Sequence, residues 1–283
     1  MIPKIYYQIQ FEILEENYDI AVALLSTYPI TGIEEGLDEL TVTLIHGIKP
    51  EDVSADMIAV LENVGIKATI KGIHDIVEQN WEKQWEESLQ PIKVTDDIWI
   101  TPSWKKDEVH GKYVIIIDPK MSFGTGYHPT TRMVCRMVEE SVTPQSQWLD
   151  VGTGTGVLAI LAVKAGASSC LGFDIDEWSI ENAKENVTIN NVETKVSIIQ
   201  HDVAAFPYEN YHGIAANLYR NLLLPALPSF FKALSLHNGI LIVSGILVYD
   251  AEEIIMEAEK QGFTLNEKLT EGEWCAIRFS LRI

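Results

Sequence analysis

The chain has 283 residues, 47% of them hydrophobic and 22% charged, with a formal net charge of −20. That composition excludes a disordered or fibrous chain, and the length suits two cores at the usual preference of roughly 100–200 residues per domain. The acidic excess opposes tight binding to a phosphate backbone, which needs clustered Lys and Arg, and attracts basic protein partners while also serving solubility.

In chain order, alternation predicts a strand over Lys4–Phe11, helical spacing a helix over Asn17–Thr27, and a strand pair follows over Thr31–Leu37 and Leu40–His46. Pro50–Val64 reads as a helix and Ile66–Ile70 as a strand, so the first 74 residues run βαββαβ, the ferredoxin-like α+β order. This segment carries no catalytic constellation, which favours substrate recognition over chemistry. A polar stretch from Val77 to Gln90, with Trp81 and Trp85 one helical turn apart, reads as a linker helix over residues 75–91. Trp99 and Trp104 follow as large apolar anchors of a domain interface or, alternatively, as rings that stack on substrate.

From residue 92 to the end a second domain is expected. Its strands are predicted at Trp148–Val151, Cys170–Ile175, Val196–Gln200, Gly213–Asn217 and Ile240–Ser244. Helices fall at Val157–Lys164, Trp178–Asn190, Asn221–Leu236 and Ala251–Gln261. The alternation implies right-handed crossovers and a mostly parallel, Rossmann-like α/β sheet. Phe263–Leu269 and Trp274–Leu281 surround Glu271-Gly272-Glu273 and form a terminal hairpin.

Cys135, Cys170 and Cys275 are far apart, with no C-x-x-C pair, and the seven histidines are scattered. Neither a disulfide framework nor a metal site is indicated. No stretch is apolar and long enough to span a membrane, and the start alternates like a strand instead of resembling a secretory signal, so a cytoplasmic protein is expected.

Trp148-Leu149-Asp150-Val151 runs into Gly152-Thr153-Gly154-Thr155-Gly156, an apolar strand ending in a glycine loop before a helix whose free N–H groups are expected to face a ligand. The spacing is G-x-G-x-G, not the G-x-G-x-x-G of dinucleotide sites, which suits a nucleoside joined to an amino acid, such as S-adenosylmethionine, better than a pyrophosphate. Asp174 closes the next strand about 20 residues on, where an acidic residue meets ribose hydroxyls; it is favoured over Asp176, which can cap the following helix. Asp150 can hold the loop N–H groups or reach a cationic amine. Asn217 ends the fourth parallel strand and either caps the next helix or offers its carbonyl to an amine nucleophile. A second glycine-rich stretch, Met121 to Thr131, contains Phe123-Gly124-Thr125-Gly126-Tyr127-His128 and forms a wall of the site. Thr131 there can donate to a carboxylate, and His128 is a structural residue or a base.

Phe123–Thr131, Leu149–Ile160, Gly172–Asp176, Ala216–Leu218, Ser244–Leu247 and Glu271–Trp274 together resemble the bacterial ribosomal protein L-eleven (L11) methyltransferases over essentially the whole chain. The glycine loop alone marks only the broad class-I methyltransferases; Phe123–Thr131 is the specific part. The resemblance implies S-adenosylmethionine as cofactor, held by Phe123, Gly124, Thr131, Gly152, Gly154, Asp174 and Asn217, with Asn217 also catalytic. It implies methyl transfer to lysine ε-amines and the N-terminal α-amine of L11, a free basic protein held by the N-terminal domain, with no nucleic acid or membrane as partner. Ser122 departs mildly from the pattern, standing where a small apolar residue is expected. The alternatives are a methyltransferase acting on a glutamine side chain or on adenine, whose enzymes carry Asn-Pro-Pro-Tyr where this chain has Asn-Leu-Tyr-Arg, a nicotinamide oxidoreductase, or a binding protein without turnover.

Overall fold

Alternate residues are apolar and buried in the second half of β1 (Ile5–Glu12), Ile9 and Phe11, and all along β3 (Glu39–Leu44), Leu40, Val42 and Leu44. These side chains share one sheet face, because successive side chains of a strand point to opposite sides. The computed structural model, which describes residues 4–77, 88–120 and 122–281, packs that face beneath α1 (Tyr18–Leu25) and α2 (Pro50–Asn63). With β2 (Ile30–Gly36) and β4 (Thr69–Val77) the sheet order is β2-β3-β1-β4, antiparallel throughout. That is the split-βαβ arrangement expected from the element order. The last strand runs to Val77, past the expected end at Ile70, because an edge strand needs only main-chain pairing and tolerates Lys71, His74 and Asp75.

The chain separates into two compact units between residues 87 and 88. The expected linker helix, with Trp81 and Trp85, falls largely on residues outside those described, while residues 75–77 belong to β4.

In the second unit a small sheet of β5 (Ile92–Lys93), β6 (Ile98–Thr101) and β7 (Tyr113–Ile116) leads to α3 (Pro129–Ser141). No element was predicted between Thr131 and Gln147. The signal was nevertheless present: Pro129 at the first helical position, and Thr130, Met133, Val134, Met137 and Val138 buried at helical spacing. The main sheet follows. It uses β8 (Gln147–Val151), β9 (Ser169–Asp174), β10 (Val196–Gln200), β11 (Gly213–Asn217) and β12 (Ile240–Leu247), all parallel, then the hairpin β13 (Phe263–Glu271) and β14 (Trp274–Leu281). The order is β10-β9-β8-β11-β12-β14-β13, with β14 antiparallel to β12. Helices α4 (Val157–Lys164) and α5 (Glu177–Ile189) join α3 on one face, where Val134, Ile160 and Ile180 pack in one core. Helices α6 (Arg220–Leu234) and α7 (Ala251–Gln261) cover the other, through Leu227, Phe230 and Ile254.

Strand order runs outward in both directions from the adjacent pair β8 and β11. The crevice outside the carboxyl ends of such a pair is where open α/β sheets bind ligands, so topology alone directs attention to Gly152 and Asn217. No helix among the described residues is long and apolar enough to cross a membrane. Cys135, Cys170 and Cys275 are free and buried.

The start of β11 depends on a missing side chain: a Cβ on Gly213 would overlap the indole of the buried Trp148 on β8. Gly213→Val should therefore destabilise the second unit by about 1–3 kcal/mol through overpacking. A lower urea midpoint by tryptophan fluorescence is the expected result; an unchanged midpoint would refute it.

Candidate active site

At the end of β8 the backbone must reverse into α4 directly beneath another loop. Gly154 has φ +52°, and a Cβ there would overlap the carbonyl oxygen of Phe123. The two glycine-rich segments are bonded to each other. Phe123 O accepts from the Thr155 N–H at 2.9 Å, and the Thr155 hydroxyl donates to Gly124 O at 2.8 Å. Arg132 on α3 donates to the carbonyls of Gly126 and Tyr127 and pairs with Glu271 on β13, so the upstream segment is held from both sides.

The loop N–H groups are directed inward. Gly152 and Thr153 both donate to Phe173 O, Gly154 to Asp174 Oδ2, Thr155 to Phe123 O and Gly156 to Thr153 O. Of the helix N–H groups expected to face a ligand, that of Ala159 turns to Asp150 Oδ2; the N–H groups of the loop before the helix are a separate set. They are consumed in closing the turn, and the loop is not an anion nest of the phosphate-binding type.

Below it lies Asp150, 1% exposed. Its Oδ2 accepts from the Thr153 hydroxyl at 2.7 Å and from the Ala159 N–H at 3.1 Å, while Oδ1 has no partner. It holds the loop through the Thr153 hydroxyl and the first turn of α4 through Ala159, and accepts none of the loop N–H groups it was expected to hold. Burial pushes its carboxyl up to about 7 against the lowering effect of those hydrogen bonds, with the Asp174 charge adding to the rise.

A cavity of about 400 Å³ opens above the strand ends. Phe123, Gly152, Gly154, Asp174 and Asn217 line it, and so do His128 and Thr130. Asp174 accepts the Gly154 N–H at one oxygen and the Asp176 N–H at the other, which fixes the carboxylate and leaves lone pairs free. Asp176 caps α5 through the Ser179 N–H at 2.8 Å. Asn217 does not cap α6, which begins at Arg220. Its Nδ2 lies 3.3 Å from Thr130 Oγ1, and its Oδ1 is buried without a partner.

Two of the expected contacts do not line the cavity. Gly124 lies behind the wall, where its carbonyl receives Thr155, and Thr131 is 1% exposed with its Oγ1 unpartnered in the protein. The buried Ser122 Oγ is likewise unpartnered. Neither Trp99 nor Trp104 reaches the cavity.

The structure adds Ile175, Asp202, Tyr219 and Trp274 to the wall. Ile175 and Asp202 follow the ends of β9 and β10, so the rule that ligands gather at carboxyl strand ends could have found them. Trp274 begins β14, far along the chain, and although Glu271–Trp274 belongs to the family resemblance, nothing in that segment assigns it to the cavity. Its ring meets His128 edge-on with centroids 4.6 Å apart.

With this geometry in hand, the comparison with known proteins is specific. The sequence model of the family described as ribosomal protein L11 methyltransferase (PrmA) matches residues 28–282. The chain belongs to that family. The ribosomal protein L11 methyltransferase of Chlorobaculum tepidum is 35% identical over 284 residues, covering 96% of this chain and 96% of the relative. That of Bacillus cereus (strain B4264) is 36% identical over 208 residues, 72% of this chain and 66% of the relative. A solved ribosomal protein L11 methylase from Lactobacillus delbrueckii subsp. bulgaricus superposes with a TM-score of 0.63 at 27% identity, over 69% of this chain and 100% of the other.

Asp150 gives a test of the buried turn. Because its folded pKa is raised, the folded state binds the proton more tightly than the unfolded one. Its favourable contribution is complete below the ordinary carboxylate value and is lost as pH rises through about 7. Asp150→Asn should therefore be less sensitive to pH between roughly 5 and 8 than the parent. Chemical unfolding of both proteins across that range would show it, and parallel stability profiles would refute it.

Proposed function

We propose that this chain transfers methyl groups from S-adenosylmethionine to amines of ribosomal protein L11, the lysine ε-amines and the N-terminal α-amine. The observation that carries this reading is the Asn217 oxygen, a buried acceptor without a protein partner on a residue that lines the cavity, beside a turn whose N–H groups are already used. A buried polar atom left unpaired costs on the order of 1–3 kcal/mol, so a ligand donor belongs there.

The residues suit the cofactor. When bound, it supplies a methyl group on a positive sulfonium, open to in-line attack. Asp174, fixed by two backbone N–H groups, accepts from vicinal hydroxyls. Gly152 and Gly154 allow close approach, Phe123 covers the mouth, and the unpartnered Thr131 hydroxyl is available to a carboxylate. Asn217 accepts a hydrogen bond from the incoming amine and orients its lone pair, so that positioning supplies much of the rate.

An amine must be neutral to attack. A lysine with an ordinary pKa of about 10.4 loses its proton more readily when desolvated beside a positive charge. Asp150 lies sealed beneath the turn and does not reach the cavity. The proton therefore passes to water, and Asn217 needs only to hold the neutral amine.

The N-terminal unit holds the substrate protein, and the net charge of −20 draws a basic partner toward it. Raising salt should then increase the KM for L11 while leaving kcat nearly constant; a salt-independent KM would count against electrostatic recruitment.

Asn217→Ala should lower kcat by roughly 100-fold with cofactor affinity reduced less than about tenfold, since the contact matters most in the aligned complex. Transfer of labelled methyl to purified L11, to assembled ribosomes and to nucleic acid, with calorimetry for the cofactor, tests both role and substrate. Label found only in nucleic acid would overturn the reading, and unchanged turnover would remove Asn217 from it.

A further inference from the structure

Resting on the methyl-transfer reading above, the inference concerns three linked side chains at one wall of the cavity. His128 caps α3, its Nδ1 accepting the Thr130 backbone N–H at 3.3 Å. That bond requires Nδ1 to be unprotonated, so the neutral ring carries its hydrogen on Nε2. Thr130 Oγ1 lies 2.7 Å from the same nitrogen. With no hydrogen on Nδ1 to give, the hydroxyl donates the shorter bond and shares the one Nδ1 lone pair with the longer backbone N–H contact, and its single hydrogen is then used. Toward Asn217 it presents lone pairs only. Asn217 meets them with Nδ2, 3.3 Å away, and the atom turned elsewhere is Oδ1, buried and without a partner.

We infer that His128 and Thr130 are positioning residues that lock the Asn217 side-chain amide with its oxygen, not its NH₂, offered to the substrate amine. A free Asn amide has two orientations that differ only by exchange of oxygen and nitrogen. The reversed one would point N–H groups at an amine whose own N–H groups need an acceptor. The relay removes that alternative, with the hydrogens ordered Asn217 to Thr130 to His128.

The surroundings maintain the required state of the ring. His128 packs against Phe123 and Trp274 at centroid distances of 5.2 and 4.6 Å. Burial and the positive charge of Arg132 on α3 hold its pKa below the ordinary histidine value, opposed by Glu271 on β13. Protonation would place a hydrogen on Nδ1, reverse the Thr130 hydroxyl and favour the wrong Asn217 orientation. A general base would act through Nε2, whereas the relay uses Nδ1, so the two roles separate by substitution.

His128→Asn sets an amide oxygen near the Nδ1 position, cannot be protonated and still caps a helix. His128→Leu fills the apolar space between the aromatic rings but accepts nothing. Methyl transfer to purified L11 should fall about 30-fold or more in kcat with H128L, and H128N should recover it to within about fivefold of the parent. Packing alone predicts the opposite order. Thr130→Val, which keeps the capping N–H, should fall as far as H128L with cofactor affinity by calorimetry little changed, and Thr130→Ser should restore turnover. The parent's kcat should show an acidic ionisation from His128 in addition to that of the substrate amine, and H128N should keep only the amine's. Long-range ¹H–¹⁵N spectra, with the His128 signal assigned by its loss in H128N, should show the Nε2–H tautomer at neutral pH.

H128N no better than H128L, T130V with full turnover, or an Nδ1–H tautomer would each overturn the relay. The spectrum needs no turnover. A parent protein that labels no L11 would therefore defeat the methyl-transfer reading, while the tautomer still decides the relay.

Discussion

Two glycine-rich segments from different parts of the chain share hydrogen bonds, and the site is organised around that junction. Thr155 is its centre, giving its N–H to Phe123 and its hydroxyl to Gly124. The contact is possible because Gly154 has no side chain to obstruct the Phe123 carbonyl. Once the segments are joined, the path from β7 to α3 is fixed above the strand ends, and Phe123, His128 and Thr130 line the same cavity as Asp174 and Asn217. Arg132, reaching from α3 to the loop carbonyls and to Glu271, extends the same constraint to the terminal hairpin.

The allocation of hydrogen bonds then determines what kind of ligand the site can favour. Glycine loops before helices often bind anions because their N–H groups are free. Here five consecutive N–H groups, from Gly152 to Gly156, are bonded within the protein. Oxygen acceptors remain instead: the Asp174 carboxylate and the Asn217 amide oxygen, with Asp202 also at the wall. Such a surface favours hydroxyl donors and amines over phosphates. The acidic balance of the whole chain acts in the same direction at longer range.

Much of the second unit is legible in its sequence because its elements follow local rules. Helices Val157–Lys164 and Ala251–Gln261 and strands Val196–Gln200, Gly213–Asn217 and Trp274–Leu281 occupy the residues that periodicity assigns to them. Helix α3 is also legible, its apolar residues recurring at helical spacing, but it starts inside the glycine-rich Phe123–Thr131 segment, whose turns interrupt the periodicity just before it. Asp176 was separated from Asp174 only by the observed cap on Ser179, since either carboxylate satisfied the spacing. The inward turn of the loop N–H groups could not be read locally either, as their acceptors, Phe173, Asp174 and Phe123, belong mostly to other elements.

The sequence by itself determined the βαββαβ unit, the alternating α/β unit, the two glycine motifs and the family they resemble. These depend on residue periodicity and on turns that only glycine accommodates, which are properties of neighbouring residues. The tertiary structure alone decided that Trp274 meets His128, that Gly124 supports the wall from behind, and that Asn217 retains a buried unpaired oxygen. The physical reason is that a polar atom is satisfied or left free by partners distant in sequence, here Thr130 and His128 at the start of α3 and Asn217 at the end of β11.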